Sequence, residues 1–310
     1  MAKNSRIEVT DMKIKQLAST SVNNILSWTA YPLVIVLGFA LHRELLRAEY
    51  GIQLSTYGPV VLCALIIAFL EHKLPYRREW KASSNDVKND LLFMGFVQVL
   101  LPQLLSFCIA ISLLNILESR NLVMKNIWPH SFPVYMQAIM MVLIADFFRY
   151  WLHILHHKWE FLWRFHSVHH SPQKLYWVNV GRFHPIEKTL QFFLDALPFI
   201  ILGVSEYVIG LYFVFYSING FFQHSNVDVR LGPLNYIVSG PELHRWHHSM
   251  SVGESNHNFG NNLIIWDLIF GSWYLSEEKE VDQLGVQNRA YPMDFIDQLK
   301  APFNKVIDQR

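Results

Sequence analysis

The chain has 310 residues, 52% of them hydrophobic and 15% aromatic, with a formal net charge of +1. Only 16% are charged, against about 25% in soluble globular domains, so no basic stripe for nucleic acid and no solvated acidic tail is available. The two cysteines, Cys63 and Cys108, both lie in apolar runs, which excludes a disulfide framework and a cysteine-type zinc site.

In chain order, four runs contain no Asp, Glu, Lys or Arg: 16–42, 50–70, 91–117 and 126–145. Each is close to the roughly 20 residues a helix needs to cross a bilayer. They predict four membrane spans in an all-α, polytopic protein. The first run begins too late and continues too long for a cleaved signal peptide. Basic residues set orientation. Four precede the first run (Lys3, Arg6, Lys13, Lys15) and two follow it (Arg43, Arg47). Five follow the second run (Lys73, Arg77, Arg78, Lys81, Lys88) and two follow the third (Arg120, Lys125). That alternation predicts a cytoplasmic N-terminus and a fourth span returning to the cytoplasm near Asp146, where the histidines begin.

The next apolar stretch, Thr189 to Phe222, is interrupted by Asp195, Pro198, Gly203 and Glu206. Its halves, about 17 residues each, are at the lower limit for spanning. A short helical hairpin or re-entrant pair turning near Gly203–Glu206 keeps the histidines before and after it on one side. An amphipathic pair lying on the surface is the alternative. The chain thus divides into an N-terminal membrane region (1–132), a histidine-bearing catalytic region (133–275) and a polar tail (276–310), a soluble cap or partly ordered end. No solenoid repeat or low-complexity tract appears.

Twelve of the fifteen histidines fall between 153 and 257. They form "HILHH" (His153, His156, His157), "HSVHH" (His166, His169, His170) and "HRWHH" (His244, His247, His248), with His184 in "RFHPIE", His224 in "FFQHSN" and His257. Residues i, i+3 and i+4 share one helix face, so H-x-x-H-H presents three imidazoles to one side. Neutral imidazole suits iron, zinc and copper. Eight or more exceed one ion's demand and match two ions held close together. His156 is balanced between an outer position and a structural one. His42, His72 and His130 read as ordinary structural histidines. Metal-bound imidazoles donate their other N–H to carboxylates or carbonyls, so Asp146, Glu187 and Asp267 are candidates for that outer layer. Tyr176, Trp177 and Phe183 are candidates for lining a lipid path.

From Ala138 to Tyr274 the residues resemble the fatty acid hydroxylase and sterol desaturase superfamily of membrane non-haem iron enzymes. The resemblance rests on "DFFRYWLHILHH", "WRFHSVHHS", "RFHPIE", "HRWHH" and "NFGNNLIIWDLIFGSW". It implies a centre of two iron ions (zinc also binds such ligands) that uses O2 to hydroxylate or desaturate a C–H bond of a sterol, acyl, ether-lipid or carotenoid substrate. It carries the metal-ligand role onto His153, His157, His166, His169, His170, His224, His244, His247 and His248, with His184 as a ligand or a cavity residue. The "LGPLNYIVSGPELHRWHH" stretch looks closer to the sterol-desaturase-like and alkylglycerol-monooxygenase-like branches than to the sphingolipid hydroxylases. No haem-binding "HPGG" is present: Ile186 and Glu187 follow His184–Pro185. Electrons are therefore expected from a separate donor protein or reductase. Two other classes compete. A zinc-dependent membrane hydrolase acting on a lipid needs only three protein ligands and an open position. A metal transporter would place its ligands mid-span, whereas these boxes follow the fourth span.

Overall fold

The computed structural model describes residues 2–109, 116, 119–120 and 127–304, with 2–20 by backbone alone. The side chains of Lys3, Arg6, Lys13 and Lys15, the basic residue Lys125 and most of 110–117 lie outside the described residues. Among the described residues, four helices are long and apolar enough to cross a membrane. α1 is Ala2–Arg47, of which Ser21–Arg47 is the apolar part, and α2 is Ile52–Lys73. α3 is Ser84–Ile109 and α4 is Val134–Lys158. Among the described residues there are no strands beyond isolated bridges such as Val238 with Leu263.

The spans differ from the uncharged runs in two places. α3 starts earlier, at a capping box in which Ser83 and Asp86 exchange side-chain and backbone hydrogen bonds, and such a box satisfies two orphan N–H groups. Asp90 within it is fully buried but paired with Arg182 at 2.6 Å. α4 starts later, after Pro133, and runs without interruption to Lys158. Neither Asp146 nor Arg149 ends it, because both are buried and bonded, the latter to Asp195 at 2.6 Å. The first histidine box is therefore the last two turns of the fourth span itself.

The middle of the chain folds as α5 (Glu160–His170), α6 (Pro185–Asp195), the short α7 (Leu197–Ile201) and α8 (Glu206–His224). The turn between α7 and α8 occupies 202–205, where sequence breakers predict it. Gly203 takes φ +67° there, a left-handed conformation that favours glycine. Ser205 caps α8 by accepting from the Val208 N–H. α8 is the central post. One face packs Val214, Ile218 and Phe222 against Tyr31, Val34, Cys63 and Ile67 of α1 and α2. The other packs Val208 and Tyr212 against Met141, Val142 and Ala145 of α4. Outward-facing Leu33, Val36, Phe69 and Phe107 are exposed, as bilayer-facing side chains are. The chain is a multi-pass membrane protein.

Beyond the spans, α9 (Pro241–His247), α10 (Ile265–Phe270) and α11 (Phe295–Lys300) build a helical cap. The polar tail does not stand apart from it. Val281 and Leu284 are buried with Trp246, and Val286 and Tyr291 with Trp163. Gln298, fully buried in α11, donates to the Ser171 hydroxyl at 2.7 Å.

Candidate metal centre

Five imidazoles, of His153, His157, His166, His170 and His247, bring ligand nitrogens within 4.8 Å of one another. Four more, of His169, His224, His244 and His248, do the same beside them. The two groups adjoin: the His170 and His248 rings stack with centroids 4.5 Å apart. The second and third H-x-x-H-H boxes are each divided between them. In the α5 box, His166 and His170 enter the first group and His169 the second. In the α9 box, His244 and His248 enter the second group and His247 the first. Helix geometry explains the division. Successive residues turn by about 100°, so i and i+4 nearly eclipse while i+3 points to the flank. One box therefore reaches two neighbouring centres. α4 adds His153 and His157, an i, i+4 pair, to the first group, and the end of α8 adds His224 to the second.

The nitrogen spacing is that of ligands around a cation. His166 Nε2 lies 3.0 Å from His153 Nε2 and 3.1 Å from His170 Nε2. His244 Nε2 lies 3.0 Å from both His224 Nε2 and His248 Nε2. Around one ion with metal–nitrogen bonds of about 2.1 Å, ligands at right angles stand about 3.0 Å apart. These contacts are not hydrogen bonds where the far nitrogen carries the ring's proton. His153 Nδ1 donates to the Phe259 carbonyl at 2.7 Å, and a carbonyl only accepts. His166 Nδ1 donates to Glu187 Oε1 at 2.8 Å. Their Nε2 atoms are consequently bare, and two lone pairs facing each other at 3.0 Å repel unless a cation lies between them. The residues thus fit a pair of metal ions.

The outer layer holds the tautomers. His169 Nδ1 donates to the Arg182 carbonyl and His247 Nδ1 to the His257 carbonyl. His157 Nδ1 donates to Asn256 Oδ1 and His224 Nδ1 to Asn179 Oδ1. Burial, reinforced by the neighbouring imidazoles, holds His166, His169, His170, His244 and His248 well below the ordinary histidine pKa. They are neutral, the state a metal requires. Desolvation pushes Glu187 up to about 8.

Of the three carboxylates expected in the outer layer, only Glu187 touches a histidine. Asp146 instead accepts from Asn262 N–H, Asn262 Nδ2 and Leu263 N–H. Asp267 accepts from Phe259 N–H and Gly260 N–H, both at 2.7 Å, and burial pushes it up to about 6. Both hold the 259–263 loop, whose Phe259 carbonyl orients His153, so they act one layer further out. His184 lies in neither group. Its Nδ1 accepts from Ile186 N–H as the cap of α6, and its Nε2 donates to the Leu299 carbonyl at 3.2 Å. His156 stacks on His166 at 5.0 Å, with Glu187 Oε1 3.8 Å from its Nδ1. His42 is buried with Nδ1 on the Ser55 carbonyl, and His72 and His130 are exposed. Asn179, Asn256 and the backbone acceptors escape a sequence reading. An asparagine carries no spacing signal, and a carbonyl belongs to every residue.

A cavity of about 310 Å³ joins the centre to the spans. Tyr57, Val61 and Leu65 of α2 line one end, and His153, His169 and His244 the other. Trp177 and Phe183 line it as the sequence suggested. Tyr176 does not; its hydroxyl donates to Asp90. Glu187→Gln keeps an acceptor for His166 and removes the ionisable carboxyl, whose anionic form bound cations would favour. It is expected to lower iron affinity about tenfold, measured by competition with a calibrated chelator; unchanged affinity would mean that the charge does not reach the metal.

The family model for fatty acid hydroxylases matches residues 138–272. An ornithine lipid hydroxylase, OlsE, of Rhizobium tropici is 34% identical over 77% of this chain and 73% of its own length. Human alkylglycerol monooxygenase is 29% identical over 53% of this chain, which spans 35% of that protein. Methylsterol monooxygenase 1 of Rattus norvegicus is 29% identical over 42% of this chain and 44% of its own length. No solved structure matches the chain.

Proposed function

The chain belongs to the fatty acid hydroxylase and sterol desaturase superfamily, and from that membership and the site geometry we propose that it is a di-iron lipid oxidoreductase, using O2 to hydroxylate or desaturate a C–H bond. The observation that carries this reading is the convergence of nine imidazoles in two adjoining groups, with the bare Nε2 atoms of His153 and His166 3.0 Å apart in the first and the Nε2 atoms of His224 and His244 3.0 Å apart in the second. His153, His157, His166, His170 and His247 would hold one ion. His169, His224, His244 and His248 would hold the other. Two irons held there supply reductive activation of O2, with electrons from a separate donor. The chain's own residues do the rest. Glu187, Asn179, Asn256 and the carbonyls orient six of the rings, those of His153, His157, His166, His169, His224 and His247. The cavity admits a lipid chain from the bilayer, and Phe183, stacked on His169 at 4.2 Å, keeps bulk water from that wall.

In this reading the catalytic region is 133–275, mounted on the membrane region 1–132, and the loop charges support a cytoplasmic centre and N-terminus. A zinc hydrolase needs three protein ligands and an open position; nine converging histidines exceed that. The relatives' own substrates, an ornithine lipid, an alkylglycerol and a methylsterol by their names, support a lipid with a polar head. The test is the purified chain loaded with iron. It is expected to hold about two irons and to consume O2 when given reductant and membrane lipid extract, with a product heavier by one oxygen or lighter by two hydrogens. Turnover under strict anaerobiosis with zinc alone would overturn the proposal.

A further inference from the structure

Deep in the cavity wall lies a polar group that meets the imidazole site only through Gln191, whose Nε2 donates to Glu187 Oε1 at 2.9 Å. Tyr216 on α8, Gln98 on α3 and Gln191 on α6 all line the cavity. Lys188, only 6% exposed, stands behind them. Its Nζ donates to the Tyr216 hydroxyl at 3.2 Å and to Gln191 Oε1 at 3.5 Å, both neutral oxygens. Gln98 Nε2 donates to the same hydroxyl at 3.3 Å. Residues 93–100 form a π-helix, whose wider turn sets Met94, Gln98 and Val99 side by side on the cavity.

A tyrosine hydroxyl has two acceptor lone pairs and one proton. Here both lone pairs receive N–H groups, so the proton has no acceptor within the wall. Exchanging the oxygen and nitrogen of the Gln98 amide does not remove the surplus. Tyr216 would then donate to Gln98, leaving the amide N–H groups as the orphans. Gln98 Oε1 is itself buried without a partner, so in either placement of the amide one N–H or O–H donor is left without an acceptor, beside a buried ammonium that forms no ion pair among the described residues. The Lys188 ammonium also sits 5.8 Å from the centre of the Phe183 ring, and that ring stacks on His169. One aromatic ring separates this polar group from the second imidazole group.

We propose that Tyr216, polarised by Lys188 and flanked by Gln98, is the donor that grips an acceptor oxygen of the bound lipid, a carbonyl or hydroxyl. It thereby fixes which stretch of chain lies against the histidines. The assignment rests on the reading that a lipid occupies this cavity, and it concerns recognition, so its test uses binding without turnover. The full chain in detergent micelles, with no metal added, is titrated with methyl stearate, stearyl alcohol and octadecane. Wild type is expected to bind the two oxygenated probes about tenfold more tightly than the alkane, the worth of one charge-assisted hydrogen bond. Tyr216→Phe and Lys188→Met are each expected to erase that preference while leaving octadecane affinity and the melting temperature unchanged. Equal affinity of wild type for all three probes, or a preference that survives both substitutions, would overturn the assignment. A chain that consumes no O2 yet keeps the preference would sink the oxidoreductase reading alone and leave the clamp standing.

Discussion

His166→Ala and His244→Ala are each expected to lower bound iron from about two per chain to about one, and to lower product formation by more than about a hundredfold. The magnitude follows from comparison: altering an outer partner of a ligand costs roughly 10–100-fold, and these changes remove the ligand itself. The two residues are the hubs of their groups. His166 Nε2 lies within 3.1 Å of two neighbours in the first, and His244 Nε2 within 3.0 Å of two in the second. The double substitution is expected to hold no iron. Elemental analysis of the membrane-extracted protein checks this, with exposed His72 replaced by alanine as the variant that keeps both irons. If either single substitution removes both ions, the groups are one coupled site and the division of each box is wrong.

Asp146→Ala is expected to destabilise the protein by about 3–5 kcal/mol, because three buried donors lose their acceptor at once. Those donors are the Asn262 and Leu263 N–H groups and the Asn262 amide. The 259–263 loop would then lose its hold on α4, and the Phe259 carbonyl would cease to orient His153. Asp146→Asn keeps one acceptor oxygen and is expected to lose less. A matching effect arises from the far side of the loop. A Cβ on Gly260 would stand 2.2 Å from the Leu263 carbonyl oxygen and 2.9 Å from Asp267 Oδ2. Gly260→Ala therefore forces the backbone apart where Asp267 binds it. Thermal unfolding in detergent, read with iron content, separates these loop variants from the histidine variants. The histidine variants lose iron without a comparable loss of fold, and wild-type melting in Asp146→Ala would remove the loop from the argument.

Much of this architecture is legible in the residues taken singly. Uncharged runs mark four spans, because a bilayer core tolerates few unpaired charges. The box spacing marks imidazole faces, because helix periodicity is local. Breakers at Gly203 and Ser205 mark the turn before α8, because a left-handed residue and a serine cap act within a few positions. Where those rules meet a distant partner they mislead. Asp146 and Arg149 look like the end of a span until Asn262 and Asp195 are seen to satisfy them. His184 reads by resemblance as a ligand or a cavity residue, yet both its nitrogens serve backbone groups. The charged tail looks detachable, yet Gln298 is bonded beneath α5.

The sequence by itself determined the class of the protein: a membrane-embedded, all-helical chain with more imidazole than one ion can use. Those properties come from hydropathy and periodicity, which act over one or two helical turns. Only the tertiary structure decided how the imidazoles are shared. Sorting the second and third H-x-x-H-H boxes between two centres requires α4, α5, α8 and α9 to meet at fixed angles, and no spacing within one helix specifies that. The same holds for the outer layer, since carbonyls and asparagines become partners of a ring only when a fold brings them there. It holds too for the Tyr216 group, which forms only when three helices bring Tyr216, Gln98, Lys188 and Gln191 to a common wall.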